Sequence, residues 1–257
     1  MPNNFNLIPD FNSGIPMSDI SLNNKHYSTI QKDIVNLLGD YVKEKKYRYI
    51  LEVGPLSTPI PYSTHTVNID IPNSSNNFCI DIDRINIPVP DKFFDFGYAR
   101  HVFEDIQNPD FAFNELKRTC KEFYIETPSP LVEFLKDVDF YDVNEVDFKY
   151  RGYIHHRYFI WSEGNNLYCL PKYPIIEYLS LNKSVENKLI YIANNYPIAW
   201  NNYILCNEDT NIIMLKNDMH FNFINNNNSY PNFILTGILQ SMENTNLFIP
   251  KLLNGTL

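Results

Sequence analysis

Tyr49-Ile50-Leu51-Glu52-Val53-Gly54-Pro55 is the stretch on which the fold turns. A short apolar run closed by a glycine and a proline reads as a buried strand that stops at a tight turn. Upstream, Ile30, Ile34, Leu37, Leu38, Tyr41 and Val42 recur at three-to-four spacing between His26 and Lys46. That spacing predicts an amphipathic helix feeding the strand. Lys43, Lys45, Lys46 and Arg48 gather where this helix should end, and cations there complement the helix dipole.

Downstream, further strands are expected at residues 66–70, 78–80, 93–99 and 123–126, with a helix over 110–119 before the last of them. Strands alternating with helices imply a mainly parallel sheet covered on both faces. The alternation breaks at Thr127-Pro128-Ser129-Pro130. Beyond it, residues 158–161 and 167–170 predict a hairpin turning at 162–166, and a helix is expected over 175–193. Residues 200–206 and 211–215, separated by Glu208-Asp209-Thr210, suggest a second hairpin, and a last helix is expected over 233–242. The expectation is an α/β, Rossmann-like fold. Its mainly parallel sheet would end in a C-terminal antiparallel hairpin, with a hairpin-and-loop insertion after strand five. Residues 1–24, rich in Asn, Pro and Ser, form an irregular arm on this reading, and 25–257 a single domain with an acceptor-side insertion at 128–173.

The 257 residues carry a net charge of −9, which disfavours a phosphate backbone as partner, since that needs a clustered positive field. Asn is abundant and Ala and Gly scarce, a bias that reflects AT-rich coding and not a mechanism. Cys79, Cys120, Cys169 and Cys206 are scattered without C-x-x-C spacing and read as reduced thiols. No signal-peptide pattern and no apolar run of about 18 residues occurs, so a cytoplasmic protein with neither membrane nor nucleic-acid partner is expected.

In an open parallel sheet, ligands bind outside the carboxyl ends of the strands, where strand order reverses. Acids fall at such ends here: Glu52 before the glycine turn, Asp70 closing the second strand, Asp81 after the third. This series suits an adenosine-containing ligand, since a carboxylate after the second strand can accept both ribose hydroxyls. One after the third can accept from an adenine amino group.

Ile50-Leu51-Glu52-Val53-Gly54-Pro55 resembles motif I of class I S-adenosylmethionine-dependent methyltransferases. The segment from Phe94 through His101-Val102-Phe103-Glu104-Asp105 to Pro109 resembles their fourth strand and the loop after it. Tyr124-Ile125-Glu126-Thr127-Pro128-Ser129-Pro130 and His155-His156-Arg157-Tyr158-Phe159-Ile160-Trp161 are similar to a type 11-like branch found in bacteria and large DNA viruses, some of whose members sit beside glycan-modifying genes. The resemblance implies S-adenosylmethionine as cofactor, with Glu52 and Gly54 at its methionine part. Asp70 would hold the ribose, and Asp81 with Ile82 the adenine. Arg100, His101 and Glu104 would line the cofactor and acceptor mouth. The acceptor would be a small molecule or a sugar methylated at oxygen or nitrogen, with His101 or His155 removing its proton. Ser129, His156, Tyr158 and Trp161 would contact it, and the chain could act as a homodimer in the cytoplasm, the host's if the source is viral.

The glycine loop departs from the family's G-x-G-x-G, because Gly54 leads into Pro55-Leu56-Ser57-Thr58-Pro59, and Asp105 stands where a His is common. Only about a dozen residues join the first two strands, near the minimum for a parallel crossover, so its helix should be short or absent. A catalytically inactive, methyltransferase-like binding or assembly protein is therefore the alternative. A third reading takes Asp81-Ile82-Asp83 as the metal-holding D-x-D of a glycosyltransferase. No metal is expected at His155-His156, because adjacent residues of a strand point to opposite faces.

Overall fold

The computed structural model describes residues 27–55, 60–136, 138, 150–181 and 183–215, together with 237, 240, 241, 243 and 244. Helix α1 (Tyr27–Glu44) leads into strand β1 (Ile50–Val53). Its end is a Schellman motif: Tyr47 N–H bonds to Val42 O and Lys46 N–H to Lys43 O, with Lys46 at φ 57° in the left-handed position usually given to glycine. Tyr47 then packs edge-on against Tyr41, which fixes the angle between helix and strand.

Strands β2 (His65–Val67), β3 (Asn77–Phe78), β4 (Phe94–Arg100) and β5 (Cys120–Pro128) follow, with α2 (Pro109–Thr119) before β5. After α3 (Pro130–Phe134) come β6 (Tyr158–Glu163), β7 (Asn166–Pro171), α4 (Lys183–Asn195), β8 (Asn201–Cys206) and β9 (Asn211–Met214). Among the described residues the main sheet has the order β3-β2-β1-β4-β5-β8, parallel except for β8. The mainly parallel α/β sheet expected from the sequence is thus present. The strand order reverses between β1 and β4, which places the crevice of such sheets at Gly54 and at Arg100 and His101.

The C-terminal hairpin is not formed, although both of its strands are. β8 pairs antiparallel with β5, and β9 leaves the main sheet to pair parallel with β7. A second sheet, β6-β7-β9, results. Its β6-β7 hairpin is the expected one, turning on Gly164 (φ 55°). The helix expected over 175–193 is divided into a 3-10 turn (Pro174–Tyr178) and α4. The helix expected over 233–242 falls mostly outside the described residues, as does the 1–24 arm. No helix among the described residues is long and apolar enough to cross a membrane.

Two apolar cores flank the main sheet. One joins Ile34, Leu38 and Tyr41 of α1 to Ile50, Phe96 and Tyr98 and to Leu189 and Ile192 of α4. The other joins Leu51, Val53 and Phe123 to Phe113 and Leu116 of α2. Leu38 and Phe96 are fully buried, and each such side chain contributes about 1.5–3 kcal/mol over its exposed state. No crossover helix lies between β1 and β2 among the described residues. α1 supplies the apolar cover on that side, packing with Ile60 as well as Ile50. Phe159 and Trp161 of β6 belong to the first core, and Ile160 to the second, so the inserted hairpin wedges between them.

Candidate functional site

At the switch point, Gly54 has φ 63°, and a Cβ there would lie 2.8 Å from the Val102 side chain. The glycine is needed for this loop-to-loop approach whether or not a ligand binds. Glu52 is buried, and its Oε2 accepts the Ile60 N–H at 3.0 Å, closing the short crossover loop. Burial raises its pKa, against the opposing pull of the Ile60 and Ser63 hydrogen bonds and of Arg100.

β2 ends at Val67, three residues before Asp70, so Asp70 lies in the turn beyond the strand with its side chain exposed. Its N–H bonds to Asn68 Oδ1 at 2.9 Å. Asp81 Oδ1 accepts the Asp83 N–H at 3.0 Å and its Oδ2 lies 3.8 Å from Arg84. Ile82 is a core side chain, so any ligand contact it makes would have to come from its backbone. Asp83 is committed to holding a loop, which weighs against it as a D-x-D metal ligand. Both of its oxygens are engaged by the backbone amides of Gln107 and Asn108, at 2.8 and 2.9 Å.

On the other side of the switch point lies a buried ionic cluster. Glu126, at the end of β5 and fully buried, accepts from Arg100 Nε (2.9 Å), Tyr124 Oη (3.0 Å), Gln31 Nε2 (2.9 Å) and Asn201 Nδ2 (2.6 Å). His101 sits between two carboxylates, its Nδ1 3.3 Å from Glu104 Oε1 and its Nε2 3.4 Å from Glu126 Oε1. Gln31 Nε2 also approaches His101 Nε2 at 3.0 Å. Burial opposes the imidazolium, but Glu104 and Glu126 outweigh it and raise the His101 pKa to about 9. Burial likewise opposes the Glu126 carboxylate, yet His101 and Arg100 bring its pKa down to about 2.

The Gln31 amide, a donor, favours an unprotonated Nε2, whereas the raised pKa weighs against His101 as the general base. Its geometry suits it instead to hold charge and donate hydrogen bonds at the mouth of β4. His101 also has φ 52° without being glycine, a strain of order 1–3 kcal/mol that its surroundings must hold in place.

The stretch between β5 and β8 carries a second buried cluster. Glu133 accepts from Lys172 Nζ at 2.6 Å and lies 2.6 Å from His156 Nδ1, and Lys172 also donates to Tyr153 O at 2.7 Å. Gly152 is required beside it, because its φ is 64° and a Cβ would meet Glu133 Oε2 at 2.5 Å. His155 and His156 lie in the turn before β6, not in the strand. Their rings are 4.6 Å apart, and both face Asp105. The opposite-faces argument therefore does not apply to them.

The remaining acceptor candidates are placed differently from expectation. Ser129 is buried and its hydroxyl donates to Ala199 O. Trp161 is stacked on Tyr168 within the core, with ring centroids 5.5 Å apart. Neither is presented to a ligand. Tyr158 is half-buried and its hydroxyl donates to Gln107 O at 2.8 Å.

A cavity of about 380 Å³ opens between α1 and the β4 and β5 ends, lined by Gln31, His101, Glu104, Asp105, Trp200 and Asn201 among others. A second, of about 530 Å³, lies against Arg157, Lys172 and Glu177, and His155 and His156 line both. Glu126, Gln31, Asn201, Glu133 and Lys172 were not singled out from the sequence. Glu126 was findable, as an acid at a strand end like Glu52. No spacing links Glu133 to Lys172, 39 residues away.

Residues 59–122 match the family model described as "Methyltransferase domain". No curated protein sequence matches the chain. Among solved structures, the plantazolicin methyltransferase BpumL in complex with SAH is 16% identical, over 41% of this chain and 49% of that one, with a TM-score of 0.31. An S-adenosylmethionine-dependent methyltransferase from Mesorhizobium loti is 12% identical over 34% and 50%, with a TM-score of 0.26. The [4+2]-cyclase SpnF is 18% identical over 39% and 47%, with a TM-score of 0.29. The chain spans about half the length of these structures. Likenesses this partial carry no argument about chemistry. The matched segment runs from the first crossover into β5 and holds the acids at the β2 and β3 ends and the loop after β4; over those residues the chain is similar to methyltransferase domains.

Proposed function

We propose that the chain transfers a methyl group from S-adenosylmethionine to an oxygen or nitrogen of a small-molecule or glycan-linked acceptor. The observation that carries this reading is that two features lie at the carboxyl edge of one parallel sheet. The acids Asp70 and Asp81 lie beyond the β2 and β3 ends, and a preformed cavity of about 380 Å³ lies beyond β4 and β5. The residues fit the cofactor's chemistry. Asp70 is exposed and suited to accept two ribose hydroxyls. The net acidic surroundings of Glu52, Glu104 and Glu126 suit a cationic sulfonium. S-adenosylmethionine, when bound, supplies an electrophilic methyl group.

The protein's own share is positioning, which is what in-line transfer demands. Arg100, Gln31 and Asn201, all bonded to Glu126, fix the wall between cofactor edge and acceptor cavity. The protonated His101 stabilises negative charge at the acceptor mouth, and the exposed His155 is the group able to take the acceptor's proton. Isothermal titration with S-adenosylmethionine tests the reading. Micromolar binding that Asp70→Ala weakens is expected; absence of any binding heat up to millimolar cofactor would sink it.

One observation favours the second reading, an inactive methyltransferase-like binding protein. Gly54 is accounted for by Val102, and its loop has no further glycine through Pro59. Cofactor binding without product from any acceptor in a panel of sugars and hydroxylated small molecules would select it.

A further inference from the structure

We propose that Asp105, His155 and His156 form a site for one divalent transition-metal ion of the zinc type. One ligand atom from each lies within 4.8 Å of the others. Asp105 Oδ1 is 3.8 Å from His155 Nε2 and 3.9 Å from His156 Nε2, too far for a hydrogen bond in either case. The three groups converge without bonding one another. Metal–ligand bonds of about 2.0–2.1 Å put neighbouring ligand atoms roughly 3.3 Å apart, so Asp105 must close by about half an ångström on each histidine, and the two histidines, within 4.8 Å of each other, must draw together.

His156 is already prepared for this task. Its Nδ1 lies 2.6 Å from Glu133 Oε1, which fixes the tautomer with Nδ1–H on the carboxylate and leaves the Nε2 lone pair toward Asp105. Glu133 is itself held by Lys172 at 2.6 Å. A carboxylate behind a histidine in this way is the usual support of a metal ligand.

An independent observation points to a missing cation. Glu104 is buried, and neither of its carboxylate oxygens has a hydrogen-bond partner; Asp105 Oδ1 is likewise buried and without one. His101 Nδ1, 3.3 Å from Glu104 Oε1, offsets that one oxygen and leaves Glu104 Oε2 and Asp105 Oδ1 without a partner. Buried carboxylate oxygens left in this state are costly. Both acids line the same cavity as the two histidines, so a divalent ion there neutralises them together.

Two imidazoles and one carboxylate select zinc or a neighbouring first-row ion over magnesium or calcium, which prefer all-oxygen sets. Three protein ligands leave a position for water or for an acceptor oxygen. On the methyl-transfer reading, on which this last step rests, a bound metal would turn His155 from base into ligand and acidify an acceptor hydroxyl, whose proton would pass to water as its oxygen takes the methyl group and S-adenosylhomocysteine leaves.

The test is a titration of the chelator-treated full-length chain with Co²⁺, followed by its visible absorption bands, then with competing Zn²⁺ and Mg²⁺. One Co²⁺ per chain, displaced by equimolar Zn²⁺ but not by excess Mg²⁺, is expected. His155→Ala and Asp105→Asn, whose side chains are half-exposed, should each weaken binding about 10–100-fold or more while leaving the melting temperature of the metal-free chain unchanged. No Co²⁺ bands at micromolar protein would overturn the proposal, as would an unchanged affinity in the double variant or displacement by Mg²⁺. None of these readouts involves S-adenosylmethionine, so the site and the proposed reaction fail separately.

Discussion

The two sides of the switch point are built by different physics. Beyond β2 and β3, loops are held mostly by short local bonds, such as Asn68 to the Asp70 amide, Asp81 to the Asp83 amide and Asn73 to the Cys79 amide, with Asp83 the long-range exception. Beyond β4 and β5, charged and amide side chains from segments far apart in sequence meet in the interior, as Gln31 and Asn201 do at Glu126, and Lys172 and His156 at Glu133. Local bonds to exposed loops leave side chains such as Asp70 available to a ligand. Buried cross-linked charges fix a shape before any ligand arrives, at the cost of fragility when one member is lost.

The largest expected effect follows from that fragility. Glu126→Ala leaves Arg100 and His101 facing each other without their shared carboxylate, and should cost about 3–5 kcal/mol in urea denaturation. A loss under about 1 kcal/mol would mean the cluster is solvated and the contrast between the two sides is false. Gly152→Ala should cost about 1–3 kcal/mol through its φ of 64° and the clash with Glu133, read as a lowered melting temperature.

Asp70→Ala should do the reverse. Stability stays within about 0.5 kcal/mol, while S-adenosylmethionine affinity falls about 10–100-fold, the worth of hydrogen bonds to a charged group. Equal losses in both measurements would erase the distinction.

A further effect is in pH. His101, raised from 6.5 to about 9, stabilises fully below pH 6.5 and loses that contribution as pH rises through about 9. Glu126, lowered from 4.5 to about 2, stabilises fully above pH 4.5 and loses it as pH falls through about 2. The joint contribution is therefore greatest between pH 4.5 and 6.5. In His101→Gln, melting curves should lose the decline between pH 6.5 and 9; its persistence would assign that decline to another group.

Much of the local side was legible in the sequence. The run ending at Gly54 marked β1, and the three-to-four spacing marked α1 almost to its ends, because burial on one face writes itself into neighbouring residues. The acids after the strands could be read for the same reason. The distant pairings could not. Residues 201–206 and 211–214 satisfy a hairpin and a split between two sheets equally well, since alternation fixes which face is buried and says nothing of the partner strand. The His155-His156 pair misled because it was read as strand, and two residues in a turn do not alternate. Asp83 looked like a ligand until Gln107 and Asn108, more than twenty residues on, were seen to hold it.

The departure of β9 to the second sheet has one more consequence. Pairing β9 alongside β7 laces the insertion to the stretch that follows β8, so the hairpin cannot swing outward without stripping a parallel ladder and pulling Phe159 and Ile160 from two cores at once. Hydrogen-exchange protection across 158–171 should match that of β5. An acceptor would then enter through a rigid doorway, admitted by its dimensions and not by any hinged flap.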